Sequence, residues 1–504
     1  MLSRILGFIR DITLARLFGA SVAMDAFLVA FKIPNFMRRL FAEGSFSLAF
    51  VPVLSQVKSE NNREHLAQFL NHTYGCLLSV LTPFTIIGVM AAPVFVIVFA
   101  PGFIHRPEQF GQAVDMLRLT FPYLMLISLC AMAAGILQTH GRFAPSAFSP
   151  VLLNLSLIGF AILISPRLQL PVMALAWGVL VAGVLQLVWH LFFLRQIELL
   201  PRPVMNWHDP KVRSILKLML PTLLGSSVAQ INLLFDTLIA SMLVTGSVSW
   251  LYYADRLMEL PLGVFGVAIA TIILPRLSTH HSEKNHLRFH QTIQWASRSA
   301  LLVAVPAATG LVVLAEPITS TLFESRNFSS ADTHMVALAL SAYTLGIPAF
   351  ILAKVLVPVY YARLDTRTPV IIALWCMSLN MIFNIILVGL LVWKNFPAPH
   401  MGLALASAMS AWLQVFLLIR WMNLSIKADK KAWWSFNLRL GLASLIMGLM
   451  VSGISSRVPD WSNADTAVKI LWLTISIGVG IIAFGAAGMT LGLSFLKGSS
   501  QTHH

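Results

Sequence analysis

The sequence has few charged residues for its length. Only 11% of its 504 residues are charged, whereas a soluble domain typically carries about 25%. So few charges cannot cover a water-facing surface, which excludes a soluble enzyme. The net charge of +15 does not indicate a nucleic-acid-binding protein, because the basic residues lie mostly in short loops between apolar stretches.

Several chemical motifs are also missing. The three cysteines, Cys76, Cys130 and Cys376, all fall inside apolar stretches, which excludes a disulfide framework and a CxxC metal site. The chain has no GxxxxGK[ST] phosphate loop, no HExxH zinc motif and no GxSxG nucleophile elbow. We therefore expect no enzymatic activity and no bound cofactor. Any transport must draw on an ion gradient or the membrane potential.

Long apolar stretches dominate what is present. A membrane helix needs about 20 apolar residues. That rule predicts fourteen spans, at about 1–19, 25–55, 70–100, 113–139, 146–165, 170–195, 211–243, 249–278, 293–323, 333–361, 368–393, 399–421, 433–456 and 466–496. The predicted fold class is an all-α polytopic membrane protein.

The loops between these spans differ in basic residues. Alternate loops on one side hold fifteen Lys or Arg residues, and the opposite loops hold five. Basic residues concentrate on the cytoplasmic side of membrane proteins. This bias predicts that both termini of this multi-pass membrane protein lie in the cytoplasm.

The chain repeats itself at offsets of 223 to 228 residues. For example, the Val-Pro-Val-Leu-Ser run at 51–55 returns as Leu-Pro-Arg-Leu-Ser at 274–278. Each repeat holds six spans, which predicts two pseudo-symmetric lobes around a central cavity. The predicted lobes cover 1–200 and 201–425, and 426–504 adds two C-terminal helices and a short tail. By the same comparison, the first helix is expected to lack about ten to fifteen residues at its start.

Three of the predicted spans each contain a group of three or more charged residues that we single out. A charge at the centre of a membrane costs about 2.5–3.5 kcal/mol on insertion scales, so these residues indicate function or internal pairing. They are Arg4, Arg10, Asp11 and Arg16 in span one, Asp25, Lys32, Arg38, Arg39 and Glu43 in span two, and Asp255, Arg256 and Glu259 in span eight. At about 100° per residue, Asp25, Lys32, Arg39 and Glu43 share one helix face. The arginines suit an anionic guest because a guanidinium binds two phosphate oxygens at once. The alternative is that the charges pair internally and brace the lobes.

A second polar group lies in the later spans. Asn232 and Asp236 are one turn apart in span seven, and Asn380 and Asn384 are one turn apart in span eleven. Oxygen ligands at this spacing could hold Na⁺ or a proton. Amides that bond across helices are the alternative interpretation.

Six stretches carry a resemblance to a known family: Ser3–Asp11, Asp25–Phe27, Phe31–Asn35, Arg38–Gly44, Tyr252–Glu259 and 274–278. They resemble the MurJ (MviN) family of lipid II flippases, and their sequences are close to those of gammaproteobacterial members. The resemblance covers essentially the whole chain. It implies membership of the multidrug/oligosaccharidyl-lipid/polysaccharide (MOP) exporter superfamily and a role in peptidoglycan synthesis. The implied activity is to flip lipid II, the undecaprenyl-pyrophosphate-linked disaccharide-pentapeptide, by alternating access.

The resemblance also implies roles for individual residues. The substrate-binding arginines map onto Arg4, Arg10, Arg38 and Arg256, with Asp25, Lys32, Arg39, Glu43, Asp255 and Glu259 as supporting charges. Some family members bind sodium at positions matching Asp236, Asn380 and Asn384, although asparagine stands here where an acid can occur. Lipid II, membrane lipids and the cell-wall synthesis and division machinery are the expected partners, nucleic acid is not, and we expect a monomer.

Three other functions remain open from the residues alone. A flippase for another undecaprenyl-linked glycan would use the same cationic cavity. A cation-coupled drug antiporter of the same superfamily should favour an acidic and aromatic cavity, which the arginines argue against. A scaffold for cell-wall enzymes would not need so many charges within the membrane.

Overall fold

The computed structural model describes residues 2–283, 285–422, 430–458, 461 and 464–493. Within these ranges, the side chains of 41–44, 220–230, 233, 264–265, 267–268, 270 and 430 lie outside the described set. Glu43, predicted as a supporting charge, is among them. Every regular element among the described residues is a helix, with loops and turns between helices and one isolated bridge between Ser325 and Phe328. The predicted all-α class is confirmed.

The first half of the chain forms ten α-helices. They are α1 (Leu2–Phe18), α2 (Val22–Met37), α3 (Ser47–Ser59), α4 (Arg63–Met90), α5 (Ala92–Phe99), α6 (Pro107–Thr120), α7 (Tyr123–Thr139), α8 (Ala144–Gly159), α9 (Met173–Gln196) and α10 (Pro210–Ser241). Short 3₁₀ segments lie at Pro101–His105 and Ser165–Arg167, and π-helical segments at Arg38–Phe46 and Phe160–Ile164.

The second half supplies a further ten within the described ranges. They are α11 (Ser247–Pro261), α12 (Val267–Ser282), α13 (His286–Val313), α14 (Ala315–Phe323), α15 (Ser330–Thr344), α16 (Ile347–Ala362), α17 (Arg367–Trp393), α18 (Met401–Trp421), α19 (Lys430–Ser455) and α20 (Thr466–Thr490). A π-helical segment, Leu262–Gly266, joins α11 to α12.

Ten helical stretches among the described residues are long and apolar enough to cross a membrane, with Pro107–Thr139, Ala144–Arg167 and Ser330–Ala362 each taken as one stretch. They coincide with ten of the fourteen predicted spans. The other four are α1, α2–α3, α10 and α11–α12, and three of these carry the charged residues singled out above. The chain is therefore a multi-pass membrane protein, and the count of fourteen stays a prediction.

Two helix starts correspond at the offset of the sequence repeat. Asn62 caps α4 by accepting from the amide of His65, and Asn285 caps α13 in the same way from Arg288, 223 residues later. Both of these helices are 28 residues long. Each is followed by a short helix, so predicted spans three and nine are each divided in two. The division follows prolines in the first turns of α5 and α14, because a proline cannot continue the hydrogen bonding of a preceding helix.

The second span and its repeat share a backbone irregularity. Pro34 lies four residues before the π-helical segment Arg38–Phe46, and Pro261 directly precedes the π-helical segment Leu262–Gly266. A π-helical turn uses i→i+5 hydrogen bonds and commonly marks a functional site. The prediction that four charged residues of this span share one helix face assumed about 100° per residue. That assumption does not hold beyond Arg38, where the π-helical segment begins.

The contacts divide the chain into two compact units, Met1–Ser249 and Trp250–His504. In the first, Phe50 of α3 stacks between Phe46 and Phe69 of α4, with centroid distances of 5.1 and 6.1 Å. In the second, Tyr253 packs on Phe323 at 5.2 Å. Helix α10 packs on α3 and belongs to the first unit, although the repeat assigns it to the second lobe. The lobe boundaries drawn from the repeat stay a prediction.

Candidate functional site

Asp25 lies in the first turn of α2 and is 1% exposed. Its Oδ2 accepts from the amide of Gly246 at 2.7 Å, and its Oδ1 accepts from the amide and hydroxyl of Ser249 at 2.9 and 2.6 Å. These donors surround Ser247, where α11 begins, and the first amides of a helix have no partner within the helix. Asp25 therefore caps a helix start and fixes the segment that ends the first unit.

Arg10 is also held by neighbouring groups. Its guanidinium donates to Oδ1 of Asp11 at 2.7 and 2.9 Å, and to Oδ1 of Asn154 in α8 at 3.0 Å. Asn154 in turn donates to the carbonyl of Ser3. Asp11 is 2% exposed, so this pair lies between α1 and α8 rather than at the surface. Arg4 is exposed on the same helix.

The three basic residues of the second span are half-buried. Lys32 donates from Nζ to the hydroxyl of Thr237 in α10 at 3.0 Å. Arg38 donates from Nε to Oδ1 of Asn35 at 2.8 Å, and Arg39 is half-buried beside it. Arg38 also lines a cavity of about 450 Å³ within the first unit. The structure therefore places Arg38, a predicted substrate-binding arginine, in the wall of a cavity.

In the second unit, the charges of α11 lie close together. Arg256 forms an ion pair with Oε2 of Glu259 at 2.5 Å, and its guanidinium lies 5.0 Å from the centre of the Tyr252 ring. The Arg256 side chain is 31% exposed and that of Glu259 is 50% exposed. Asp255 is half-buried on the same helix. This pair remains partly accessible, which suits a group that must receive a ligand.

The predicted cation ligands fall in both units. Asp236 is half-buried in α10, in the first unit. Asn380 and Asn384 are buried in α17, in the second, where Nδ2 of Asn384 donates to Oδ1 of Asn380 at 3.1 Å. Among the described residues, no three or more His, Cys, Asp or Glu side chains cluster as metal ligands. This hydrogen bond lies within α17, so it does not distinguish a cation site from amides that bond across helices.

The sequence analysis missed two groups of polar residues. Gln186 and His190, one turn apart in α9, are buried in the wall of the Arg38 cavity. Lys469 in α20 forms an ion pair with Glu324 at 3.1 Å, with side chains 8% and 12% exposed. In each case the signal was a polar residue inside a predicted span or beside one. Polar residues inside apolar spans are functional candidates by default.

Comparison with known proteins gives one family. The family model described as lipid II flippase MurJ matches residues 14–471. The chain is 41% identical over 512 residues to a probable lipid II flippase MurJ of Haemophilus influenzae, covering 98% of each chain. It is 38% identical over 456 residues to the lipid II flippase MurJ of Burkholderia cenocepacia, covering 89% of this chain and 87% of that protein.

Solved structures agree with this assignment. A lipid II flippase MurJ in an inward closed conformation matches with a TM-score of 0.79 and 28% identity, over 97% of this chain and 96% of that one. An inward-facing MATE transporter of the MOP superfamily matches with a TM-score of 0.69 and 15% identity, over 84% of this chain and 94% of that one, which shows the fold alone. This protein belongs to the MurJ lipid II flippase family.

Proposed function

We propose that this protein flips lipid II from the cytoplasmic to the periplasmic leaflet of the bacterial inner membrane. The observation that carries the proposal is the 41% identity, over nearly the whole of both chains, to a protein named a probable lipid II flippase. The arginines within the spans support it. A pyrophosphate group cannot cross hydrocarbon unaided, and a guanidinium binds two phosphate oxygens at once.

Arg38 and Arg256 are the residues we propose to receive the pyrophosphate. Each comes from a span whose helix is interrupted by a π-helical segment, and neither is buried. Arg4, Arg10, Lys32 and Arg39 would add positive potential, and Glu43, Asp255 and Glu259 would set the local balance of charge. The supporting role of Asp25 is to hold the start of α11.

The two C-terminal helices are proposed to receive the undecaprenyl tail. Several side chains on α20 are large, apolar and highly exposed, including Ile481 and Ile482 at 70% and 71%. In a membrane protein such a face contacts lipid. Near its start, α20 also carries Lys469, which is paired with Glu324.

The energy source follows from the charges. Moving one net charge across the membrane changes the free energy by about 2.3 kcal/mol per 100 mV, enough to bias an alternating-access cycle. We propose that the membrane potential or an ion gradient drives transport without covalent chemistry. Asp236, Asn380 and Asn384 are the proposed contacts for a coupling Na⁺ or proton.

We propose the topology from the basic-residue bias and the repeat, and the partners from the family resemblance. Both termini would lie in the cytoplasm, and the functional lobes would follow the repeat, 1–200 and 201–425, with 426–504 as an addition. We propose a monomer that works beside the cell-wall synthesis and division machinery. The family match does not favour a drug antiporter or a flippase for another glycan.

Complementation tests the proposal. A strain depleted of its lipid II flippase would receive the wild-type chain, Arg38→Ala, Arg256→Ala or the control Arg167→Ala at matched expression. Arg167 is exposed and donates to the carbonyl of Leu163 in its own helix turn. We expect rescue by the wild type and the control, and failure of both other variants with lipid II retained in the cytoplasmic leaflet. Rescue by Arg38→Ala and Arg256→Ala would refute the arginine assignment, and failure of well-expressed wild type would refute the substrate.

A further inference from the structure

The cavity that Arg38 lines has a polar wall that the proposed function does not yet explain. We call it the α7–α9 cavity. It measures about 450 Å³ and lies within the first unit, with Gln138, Ser146, Gln186 and His190 also in its wall. Its volume falls in the range of about 300–1,000 Å³ typical of small-molecule sites.

Two atoms in this wall are hydrogen-bond acceptors by chemical necessity. Nδ1 of His190 lies 2.8 Å from the carbonyl oxygen of Gln186, which can only accept, so Nδ1 carries the proton and Nε2 of the neutral ring presents a lone pair. Nε2 of Gln186 donates to the carbonyl of Ser149 at 2.8 Å, which leaves Oε1 as its acceptor. The two side chains are one turn apart and therefore share a face of α9.

Neither acceptor has a donor among the described residues. Oε1 of Gln186 and Nε2 of His190 make no hydrogen bond there, and the hydroxyl of Ser146 has no partner either. The two residues are 2% and 1% exposed. A buried acceptor without a donor costs free energy, and native proteins rarely leave one unexplained. The cavity wall is therefore suited to a ligand that carries hydrogen-bond donors.

The rest of the cavity restricts the chemistry of that ligand. Ammonium groups would satisfy the acceptors, but the Arg38 guanidinium in the same wall opposes a cationic guest. Hydroxyl and amide groups bring donors without charge, and an anionic group would suit Arg38. A sugar carrying hydroxyl or N-acetyl groups next to a phosphate has both features.

We propose that the α7–α9 cavity is a subsite for the phosphate-proximal sugar of the transported glycolipid, with Gln186 and His190 accepting hydrogen bonds from its hydroxyl or amide groups. This inference rests on the proposed function and adds a reason why the glycan, and not the pyrophosphate alone, is recognised. Sites built to hydrogen-bond a substrate group discriminate strongly against ligands that lack it.

Two variants remove the acceptors while keeping the side-chain volumes close. His190→Asn retains an amide that can donate to the Gln186 carbonyl, as Nδ1 does now, but has no counterpart to Nε2. Gln186→Met keeps the length of the side chain and removes its oxygen, together with the Nε2 donor to the Ser149 carbonyl. The matched controls are His208→Asn and Gln56→Met, at exposed positions outside the cavity. Thermal unfolding of each purified protein checks that the fold is retained.

Binding is measured with the full chain in lipid nanodiscs, using undecaprenyl pyrophosphate, lipid II and N-acetylglucosamine 1-phosphate as probes. We expect each cavity variant to weaken lipid II binding about five- to tenfold, the effect of losing one neutral hydrogen bond, and to leave undecaprenyl pyrophosphate binding within about twofold. Arg38→Ala should weaken both lipids. The controls should match the wild type.

The outcomes separate this inference from the proposed function. Unchanged lipid II binding in His190→Asn and Gln186→Met, with binding by the wild type intact, would show that water alone fills the cavity and would overturn the subsite. If the protein bound N-acetylglucosamine 1-phosphate as tightly as lipid II, and the same variants weakened that binding, the ligand of the cavity would be a soluble phosphosugar and not a glycolipid. A wild-type chain that binds neither lipid would overturn the proposed function together with the subsite.

Discussion

The ion pair between Lys469 and Glu324 gives the sharpest prediction of stability. The pair joins α20 to the end of α14 within the second unit, and both side chains are nearly buried, at 8% and 12% exposure. The hydroxyl of Ser320 donates to the same carboxylate oxygen of Glu324. Removing one partner leaves the other charge buried and uncompensated, which costs about 3–5 kcal/mol, whereas replacing both with apolar groups is often neutral.

The perturbation is therefore a double-mutant cycle of Lys469→Met, Glu324→Leu and the combined variant. We expect each single variant to lose about 3–5 kcal/mol of unfolding free energy, and the double variant to return to within about 1 kcal/mol of the wild type. Unfolding in mixed SDS and detergent micelles, followed by tryptophan fluorescence, measures all four proteins. Arg326→Met, at an exposed position two residues from Glu324 in sequence, is the control.

Additive losses in this cycle would refute the reasoning. They would mean that the two side chains stabilise the protein independently and that the ion pair is not what attaches α20. Single variants within about 0.5 kcal/mol of the wild type would refute it as well, because an exposed pair behaves in that way.

Three further predictions concern the first unit. Asp25→Ala should lower the unfolding temperature and impair rescue of the depleted strain more than Asp25→Asn, since only the amide retains an acceptor for the buried donors; equal effects would argue against helix capping. Gly75→Val should expose the linker between α9 and α10 to limited proteolysis, because a Cβ at Gly75 would lie 2.3 Å from the carbonyl oxygen of Val204; an unchanged cleavage pattern would contradict this close packing. The Lys211 ammonium beside Glu60 holds the pKa of that carboxyl below its ordinary value, so the stability from this pair is present above the ordinary Glu pKa of about 4.3 and is lost as pH falls through the lowered value. Unfolding temperatures of wild type and Glu60→Gln should therefore converge in acid, and a constant difference across pH would contradict the assignment.

Much of the fold could be predicted because it depends on local composition. Each apolar stretch long enough to span a bilayer must satisfy its backbone hydrogen bonds internally, which requires a helix. The corresponding caps Asn62 and Asn285 are short-range signals that the sequence also carries. The breaks that divide spans three and nine were encoded as well, by Pro93 and Pro317, but a rule based on hydropathy alone passes over them.

The sequence predicted which residues belong to the candidate site, but not which residues they contact. The sequence placed Asp25 and Arg10 among charges that should not lie in a membrane. It could not show that Asp25 accepts from Ser249, 224 residues away, or that Arg10 donates to Asn154, 144 residues away. Such contacts depend on how helices are rotated and staggered against one another. The assumption of about 100° per residue no longer predicts which side of a helix a residue occupies beyond a proline or a π-helical segment.

The sequence by itself determined the class of protein, the positions of its apolar helices and the internal repeat, because these follow from hydropathy and backbone hydrogen bonding over short stretches. The tertiary structure alone decided which polar atoms have partners. It paired Lys469 with Glu324 and left the acceptors of Gln186 and His190 facing a cavity without donors from the described residues. The physical reason is that the free energy of a buried polar group depends on the atoms around it, and segments far apart in the chain supply many of those atoms.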